Sequence, residues 1–381
     1  LSVRLFAGQP KLNKKVGSFV WNRPEDCYIS IIKLQYFKRS VLEIDYVIAW
    51  VDGQDPAHKS SRQQFAPESE KTHFEAVTSE RYFDNGEIYY NIASVIKFAP
   101  FIRRIFIIAD NQKPRLLDAF AAEGKCDPSF IQIVSHDDIF KDLPAARPSF
   151  NARAIEGAVW RIPGLSEHFI YSNDDFFLNA PLDVSDFYEN ERPRLHGDWV
   201  RPENTRLKYK LRRFLGKISR YEYTFPKFRL AQWKGAVTAG VKDRFLSIHH
   251  HPHPLRRSTL ASFFAAKPDV LNRQVGFRYR NIEQFNTVSL ANHLEIAQHH
   301  TPVHGVRELA YLDFVQAKHW GEELDKIRDG SAPFGCVQGF ERFEPEFRAE
   351  IHETLIAKFD DVLPNAIKAY LSSEQSSQQA A

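Results

Sequence analysis

The chain has 381 residues, 43% hydrophobic and 26% charged, enough apolar surface for one large folded unit or two modest ones. Its formal charge of +3 is too small for wholesale nucleic-acid binding, and no apolar run nears the ~18 residues that a membrane-spanning helix needs. Three widely spaced cysteines, Cys27, Cys126 and Cys336, make neither a disulfide framework nor a metal pair and suit a reducing cytoplasm; Leu1 to Asn13 lacks the long apolar core of a secretory signal.

Residues 1–43 read as a basic, irregular lead-in, with Lys11, Lys14 and Lys15 near its front. Order is predicted to begin at Ile44, where the apolar run through Val51 reads as a buried strand that ends in the turn-forming cluster Asp52-Gly53-Gln54-Asp55-Pro56. Residues 57–83 are polar and read as a surface excursion. A helix is predicted from Asp84 as N-cap, with Glu87 at its third position, Ile88, Ile92, Val95 and Ile96 on one face, and Pro100 closing it. Three more buried strands follow: Arg104–Ala109 running into Asp110-Asn111-Gln112, Phe130–Val134 into Ser135-His136-Asp137-Asp138, and His168–Tyr171 into Ser172-Asn173-Asp174-Asp175. A helix around Ala152–Trp160 precedes the last of them.

Strands that alternate with helices and end in polar or acidic residues predict an α/β fold, mostly a parallel sheet flanked by helices, with ligands beyond the carboxyl ends of the strands. Neither Gly-x-Gly-x-x-Gly nor a Walker lysine loop occurs, so dinucleotide and P-loop readings are weak. From 196 to 247 the character changes. Between Arg201 and Leu230 ten Lys/Arg stand against Glu203 and Glu222, interleaved with Tyr209, Phe214, Tyr221, Tyr223, Phe225 and Phe228, which predicts a largely helical basic insertion. A helical segment is predicted from 258 to 298, then a mixed stretch to 343. A terminal helix is predicted from Glu344 to Leu371 with Phe347, Ile351, Leu355, Phe359, Val362 and Ile367 on one face, followed by a disordered polar tail.

Four groups of residues could carry chemistry. Asp174-Asp175 after a buried strand can hold a hard divalent cation that bridges substrate phosphates, with Glu156 on the preceding helix facing the same crevice; turn capping is the bland alternative. The cluster His249-His250-His251-Pro252-His253-Pro254 suits acid/base or phosphate contact, a zinc site completed by other ligands, or a structural loop. Arg278 and Arg280 offer planar forks for a phosphate oxygen, alone a weak signal, and Trp50 can stack a base or fill a core. The basic-aromatic stretch 201–230 can grip a polyanionic chain or an anionic membrane face, or be a solvated helical surface.

The block Ile44–Asp55 resembles the first conserved region of the Stealth family, bacterial capsular-polysaccharide phosphotransferases related to the animal N-acetylglucosamine-1-phosphotransferase. The second region resembles Arg81 through Pro114, continuing through Pro148-Ser149-Phe150-Asn151, Ala154-Ile155-Glu156, Ile162–Ser166 and Phe169–Asp175; the third resembles His250-x-Pro252-His253 with Arg280 thirty residues beyond His250. The family's Cys-x-Asn-Asp stands here as Cys336-Val337-Gln338-Gly339.

The resemblance implies a GT-A-like nucleotide-sugar-binding core. It also implies transfer of a hexose 1-phosphate from a UDP-sugar to a glycan hydroxyl, forming a phosphodiester and releasing UMP, with Mg²⁺ or Mn²⁺ as cofactor. Implied roles are Trp50, Asp52 and Asn111 for uridine and ribose, Asp174 and Asp175 for the cation, Glu156 in support, Arg280 on the phosphoryl oxygens, and His250 as base or phosphate ligand. The expected partners are a UDP-sugar donor and a glycan or phosphate-containing polysaccharide acceptor, without nucleic acid. The expected place is the cytoplasm, with peripheral contact at the inner face of a bacterial membrane as an open option. The segments are then 1–43 lead-in, 44–195 nucleotide-sugar core, 196–247 acceptor-binding insertion, 248–343 catalytic His/Arg region and 344–381 terminal helix and tail. An ordinary GT-A glycosyltransferase releasing UDP and a non-catalytic polyanion-binding module are the alternatives.

Overall fold

A computed structural model describes residues 42–65, 82, 84–218 and 227–379, with the side chains of Lys217 and residues 374–379 excluded. The expected lead-in, apart from Leu42 and Glu43, and the excursion at 66–81 and Phe83 lie outside the described residues. Residues 43–381 form one compact unit. In chain order the elements used below are β1 (Ile44–Ala49), α1 (Pro56–Gln64), α2 (Glu87–Phe98), β2 (Ile102–Ala109), β3 (Ile131–Ser135), α3 (Ala152–Ala158), β4 (His168–Asn173), β5 (Phe176–Leu178), β6 (Asp198–Val200), α4 (Leu207–Ile218), α5 (Phe228–Thr238), β7 (Phe245–Ser247), β8 (His253–Arg256), α6 (Arg257–Ala266), α7 (Pro268–Val275), α8 (Thr287–His299), β9 (Leu309–Asp313), α9 (Trp320–Asp329), β10 (Phe334–Gln338), α10 (Pro345–Lys358) and α11 (Asn365–Gln379).

The main sheet has the order β8-β4-β1-β2-β3, with β4, β1, β2 and β3 parallel and β8 antiparallel to β4. Both faces are covered, as near-continuous apolar runs demand. Val47, Phe106, Ile108, Phe169 and Tyr171 alternate onto one face and pack with Ala154, Ala158, Leu260, Phe264 and Leu290, while Tyr46, Ile48, Ile107 and Ile170 are buried on the other. Asp45 is a buried charge within β1. Arg103 grips it bidentately at 2.9 and 2.7 Å and the Ser166 amide donates to it at 2.7 Å, which is the pairing a buried carboxylate requires. In β1 pairing, Ala49 stands opposite Ile108 on one side and Asn173 on the other, and Ala109 of β2 stands opposite Ser135, so the four carboxyl ends are level.

The chain steps from β1 to β2 to β3 in one direction and then returns to the opposite side of β1 for β4. That reversal opens a crevice outside the ends of β1 and β4, the place where open α/β sheets bind ligands. A second sheet of order β9-β10-β5 stands across this crevice, β9 parallel to β10 and β10 antiparallel to β5. Gly335 allows the close approach of β10 and β5, because a Cβ there would overlap the Phe177 ring.

Several local expectations need correction. Residues 56–64 form a helix, capped by Asp55, whose carboxylate accepts from His58 N–H at 2.7 Å; its buried residues, His58 and Arg62, are polar and left no apolar period to read. α2 starts at Glu87, not after Asp84. Asn85-Gly86 makes a tight turn with Gly86 at φ +84°, inside which Asp84 accepts from Gly86 N–H and Glu87 from Asn85 N–H. The single terminal helix is two, broken before Pro364, which supplies no N–H and disfavours helical backbone at Leu363. Of the polar tail, residues 372–379 continue α11, and 380–381 lie outside the described residues. Within 196–247 two helices are accompanied by an antiparallel β6–β7 pair, and α5 is built into the body through buried Leu230, Ala231 and Gln232.

Candidate active site

The crevice is a cleft of about 770 Å³, within the range of ligand pockets. Trp50 follows β1, Asp110 follows β2, His136 follows β3 and Asp174 follows β4, and all four line it. Glu156 from α3, His250 from the segment before β8 and Arg280 from the α7–α8 connection line the same space. Asp313 at the end of β9 and Gln338 at the end of β10 close the far side. The histidine and arginine that sequence separates widely from the acid pair therefore share its cleft.

The acid pair is held by its neighbours in the fold. From α2, the Asn91 amide donates to Ser172 Oγ at 3.1 Å and to the Asn173 carbonyl at 2.7 Å, fixing the end of β4. Burial raises Asp174 well above the usual carboxylate range, with Asp175, Glu87 and Asp84 adding repulsion. Burial likewise pushes Asp175 up to about 6, Asp84 to about 6 and Glu87 to about 8. Asp175 Oδ1 has no hydrogen-bond partner among the described residues. Four carboxylates crowded without a cation are a strained electrostatic arrangement that a bound cation relieves. No three His, Cys, Asp or Glu side chains among the described residues converge to hold a metal unaided. A Mg²⁺ that takes one or two carboxylates and completes its shell with phosphates and water needs no such cage, so the residues present fit it.

Three of the four imidazoles divide by environment. His251 stacks on Phe334 with centroids 5.0 Å apart and donates from Nδ1 to the Pro252 carbonyl at 2.8 Å; buried His253 donates from Nε2 to the His249 carbonyl at 3.1 Å. His250 turns into the cleft between Phe228 at 4.8 Å and Tyr311 at 5.4 Å. Burial lowers its pKa to about 4, while Asp313 pulls it upward, so the free protein carries a neutral ring with a lone pair to offer. Tyr311 and Asp313 are two apart on β9 and share the face turned to His250.

Glu156 accepts from the Asn286 amide at 3.1 Å; burial raises its pKa, opposed by Arg153 and Arg280. Arg280 is half-buried, and its guanidinium has no hydrogen-bond or ion-pair partner among the described residues. A permanently charged fork aimed into a cleft is suited to a phosphoryl group.

Two residues expected at the uridine side do not line the cleft. Asp52 spends its carboxylate on Gln54 N–H at 2.8 Å, and its backbone pairs with the Gln112 amide group at 3.1 and 2.8 Å. Asn111 is exposed at φ +55°. Arg278 is also exposed, lying 4.9 Å over Phe65. Asp110, His136, His58 and Ser149 line the same cleft as Trp50. Arg147 donates to Asp110 Oδ1 at 2.8 Å, and His136 Nδ1 lies 3.7 Å from Oδ2, its pKa lowered to about 4 by burial. Asp110 and His136 follow strands, the same signal that singles out Asp174 in the sequence.

Residues 81–195 match the model of Stealth protein CR2, conserved region 2. The chain is 40% identical over 148 residues to a capsular polysaccharide phosphotransferase of Actinobacillus suis, an overlap of 39% of this chain and 38% of that one. It is 29% identical over 258 residues to an exopolysaccharide phosphotransferase of Streptomyces coelicolor, covering 65% of this chain and 42% of that one. With the receptor polysaccharide phosphotransferase WefC of Streptococcus oralis it shares 34% over 151 residues, 39% and 42% of the two chains. The chain thus spans about two-fifths of the length of these curated relatives. Mouse xyloside xylosyltransferase 1 in apo form gives a TM-score of 0.35 at 10% identity, over 78% of this chain and 98% of that one, too slight a likeness to argue from.

Proposed function

We propose that this chain, a member of the Stealth family, transfers a sugar 1-phosphate from a UDP-sugar to a hydroxyl of a capsular or other cell-surface glycan, leaving a phosphodiester and UMP. The observation that carries the reading is the convergence of Asp174, Asp175, His250 and Arg280 on one cleft at the reversal point of a parallel sheet. That topology also favours a GT-A-like use of the sheet, with the nucleotide beyond the ends of β1, β2 and β3 and the diphosphate beside β4.

In this reading Trp50 offers an aromatic face to the base, and Asp110 with His136 supplies polar contacts near it. The acceptor hydroxyl oxygen bonds to the β-phosphorus, the bond from that phosphorus to the bridging oxygen breaks, and UMP leaves with the bridging oxygen. His250 Nδ1 or Nε2 takes the hydroxyl proton; the incoming diphosphate charge raises the affinity of the ring for it. Arg280 neutralises the non-bridging oxygens as charge builds there. Asp174 and Asp175 would hold Mg²⁺ or Mn²⁺, which when bound supplies charge neutralisation to the diphosphate. Glu156, tied to Asn286, orients the donor sugar beside Arg280.

The test is incubation with a panel of UDP-sugars, Mg²⁺ and a glycan acceptor, with the released nucleotide identified. UMP together with a diester phosphorus signal supports the reading. Release of UDP moves the protein to the ordinary glycosyltransferases, and no cation-dependent nucleotide-sugar binding moves it to the binding modules.

A further inference from the structure

A surface helix ordinarily turns its apolar stripe inward and its charges to water. α4 does the reverse. Its sequence, Leu207-Lys-Tyr-Lys-Leu-Arg-Arg-Phe-Leu-Gly-Lys-Ile218, places Leu207, Leu211, Phe214, Leu215 and Ile218 within an arc of roughly 100° on a 3.6-residue helix. That arc faces outward: Leu207 is 80% exposed, Ile218 69%, Phe214 59% and Leu211 57%. The helix is attached by its other side, where the Tyr209 ring meets Trp233 edge-on at 5.9 Å and Arg213 lies 3.6 Å from Glu283. Exposed Lys208 and Lys210 flank the stripe on its two sides, and the twelve residues contain five Lys/Arg and no acid.

We infer that α4 is an in-plane membrane anchor, laying Leu207, Leu211, Phe214 and Ile218 among the acyl chains of an anionic bilayer while its lysines pair with the headgroups. Two features of the same helix, the exposed apolar stripe and the lysines that flank it, single out this occupant. A polyanionic glycan would satisfy the lysines and leave the apolar stripe in water. A second copy of the chain would cover the stripe but set one row of lysines against another. An anionic lipid surface satisfies both at once. Among the described residues no helix is long and apolar enough to cross a membrane, so this contact is one of lying on the bilayer and not of spanning it. The inference stands apart from the donor cleft. For Leu207–Ile218 it favours the membrane face among the options that the sequence of 201–230 left open.

The test is cosedimentation of the whole chain with vesicles of phosphatidylcholine alone and with about 30% phosphatidylglycerol. Binding is expected to the anionic vesicles only, weakened at about 0.5 M salt. The variants Leu211→Gln with Phe214→Gln, and Lys208→Glu with Lys210→Glu, should each lower the partition coefficient at least about tenfold while far-UV circular dichroism stays unchanged. Absence of binding to anionic vesicles, equal binding to both kinds, or binding that neither variant weakens overturns the inference. So does light scattering that finds a dimer which the apolar variant dissociates, with no lipid binding. If the apolar variant does not fold, the charge-reversal pair alone decides.

Discussion

The amide N–H of Val337 donates to the carbonyl of Asp175 at 3.1 Å, and one residue earlier the Cys336 thiol lies 3.8 Å from the Asp175 carboxylate. The second acid after β4 is therefore held from both sides, by the strand it leaves and by β10, which enters the fold some 160 residues later.

Replacing Asp175 by Asn keeps the shape and removes the charge. Under the proposed function the variant should lose about a thousandfold or more of its UMP release. Its stability should move the other way. The folded-state pKa of about 6 lies above the ordinary 3.8, so the native protein binds this proton more tightly than the unfolded chain does. Stability is fully present below the ordinary value and is lost as pH rises through the folded one. Asp175→Asn should match the parent near pH 4 and exceed its Tm above pH 6. A variant less stable than the parent at neutral pH sinks the argument.

Asp84, Asp175 and Glu87, raised to about 6, 6 and 8, predict a pH-dependent response to ligand. UDP with Mg²⁺ should raise Tm by clearly more at about pH 7.5 than at about pH 5, where protons already relieve the crowding. Equal thermal shifts at the two pH values count against a cation beside these acids.

Arg280→Ala should cost about a hundredfold or more in kcat/KM, as loss of a fixed positive donor does where charge develops. Arg280→Lys should recover part of the loss, since it restores charge without the fork. Initial rates over a range of donor concentrations check this, with the dichroism spectrum unchanged in both variants.

Gly335→Ala should destabilise by about 1–3 kcal/mol, because its methyl group overlaps the Phe177 ring in a packed interior. Urea unfolding measures it, and an unchanged midpoint with an unchanged slope refutes it.

The core strands were legible because both faces of the sheet are covered: Tyr46-Val47-Ile48 and Ile105-Phe106-Ile107-Ile108 are apolar without interruption, and the polar residues that follow them mark the ligand edge. His250 and Arg280 were reachable through family resemblance, since neither periodicity nor local spacing says that they meet Asp175. α1 was not seen because a helix whose buried residues are His58 and Arg62 carries no hydrophobic period, although Asp55-Pro56 offered a capping signal. Asp52 and Asn111 stand outside the cleft because a residue just past a strand can either reach into the crevice or close its own turn, and both of these bond to neighbours. Asp313 was hidden because β9 is only five residues long and gains its meaning from the partner strand β10.

Because β10 completes the backing of Asp175, the acid pair is finished only after most of the chain has been made. A polypeptide extended only through β5 already carries both aspartates yet lacks the brace that holds the second one. Under the proposed function such a fragment should be idle toward nucleotide sugars, and competence should arrive only once β10 has paired with β5.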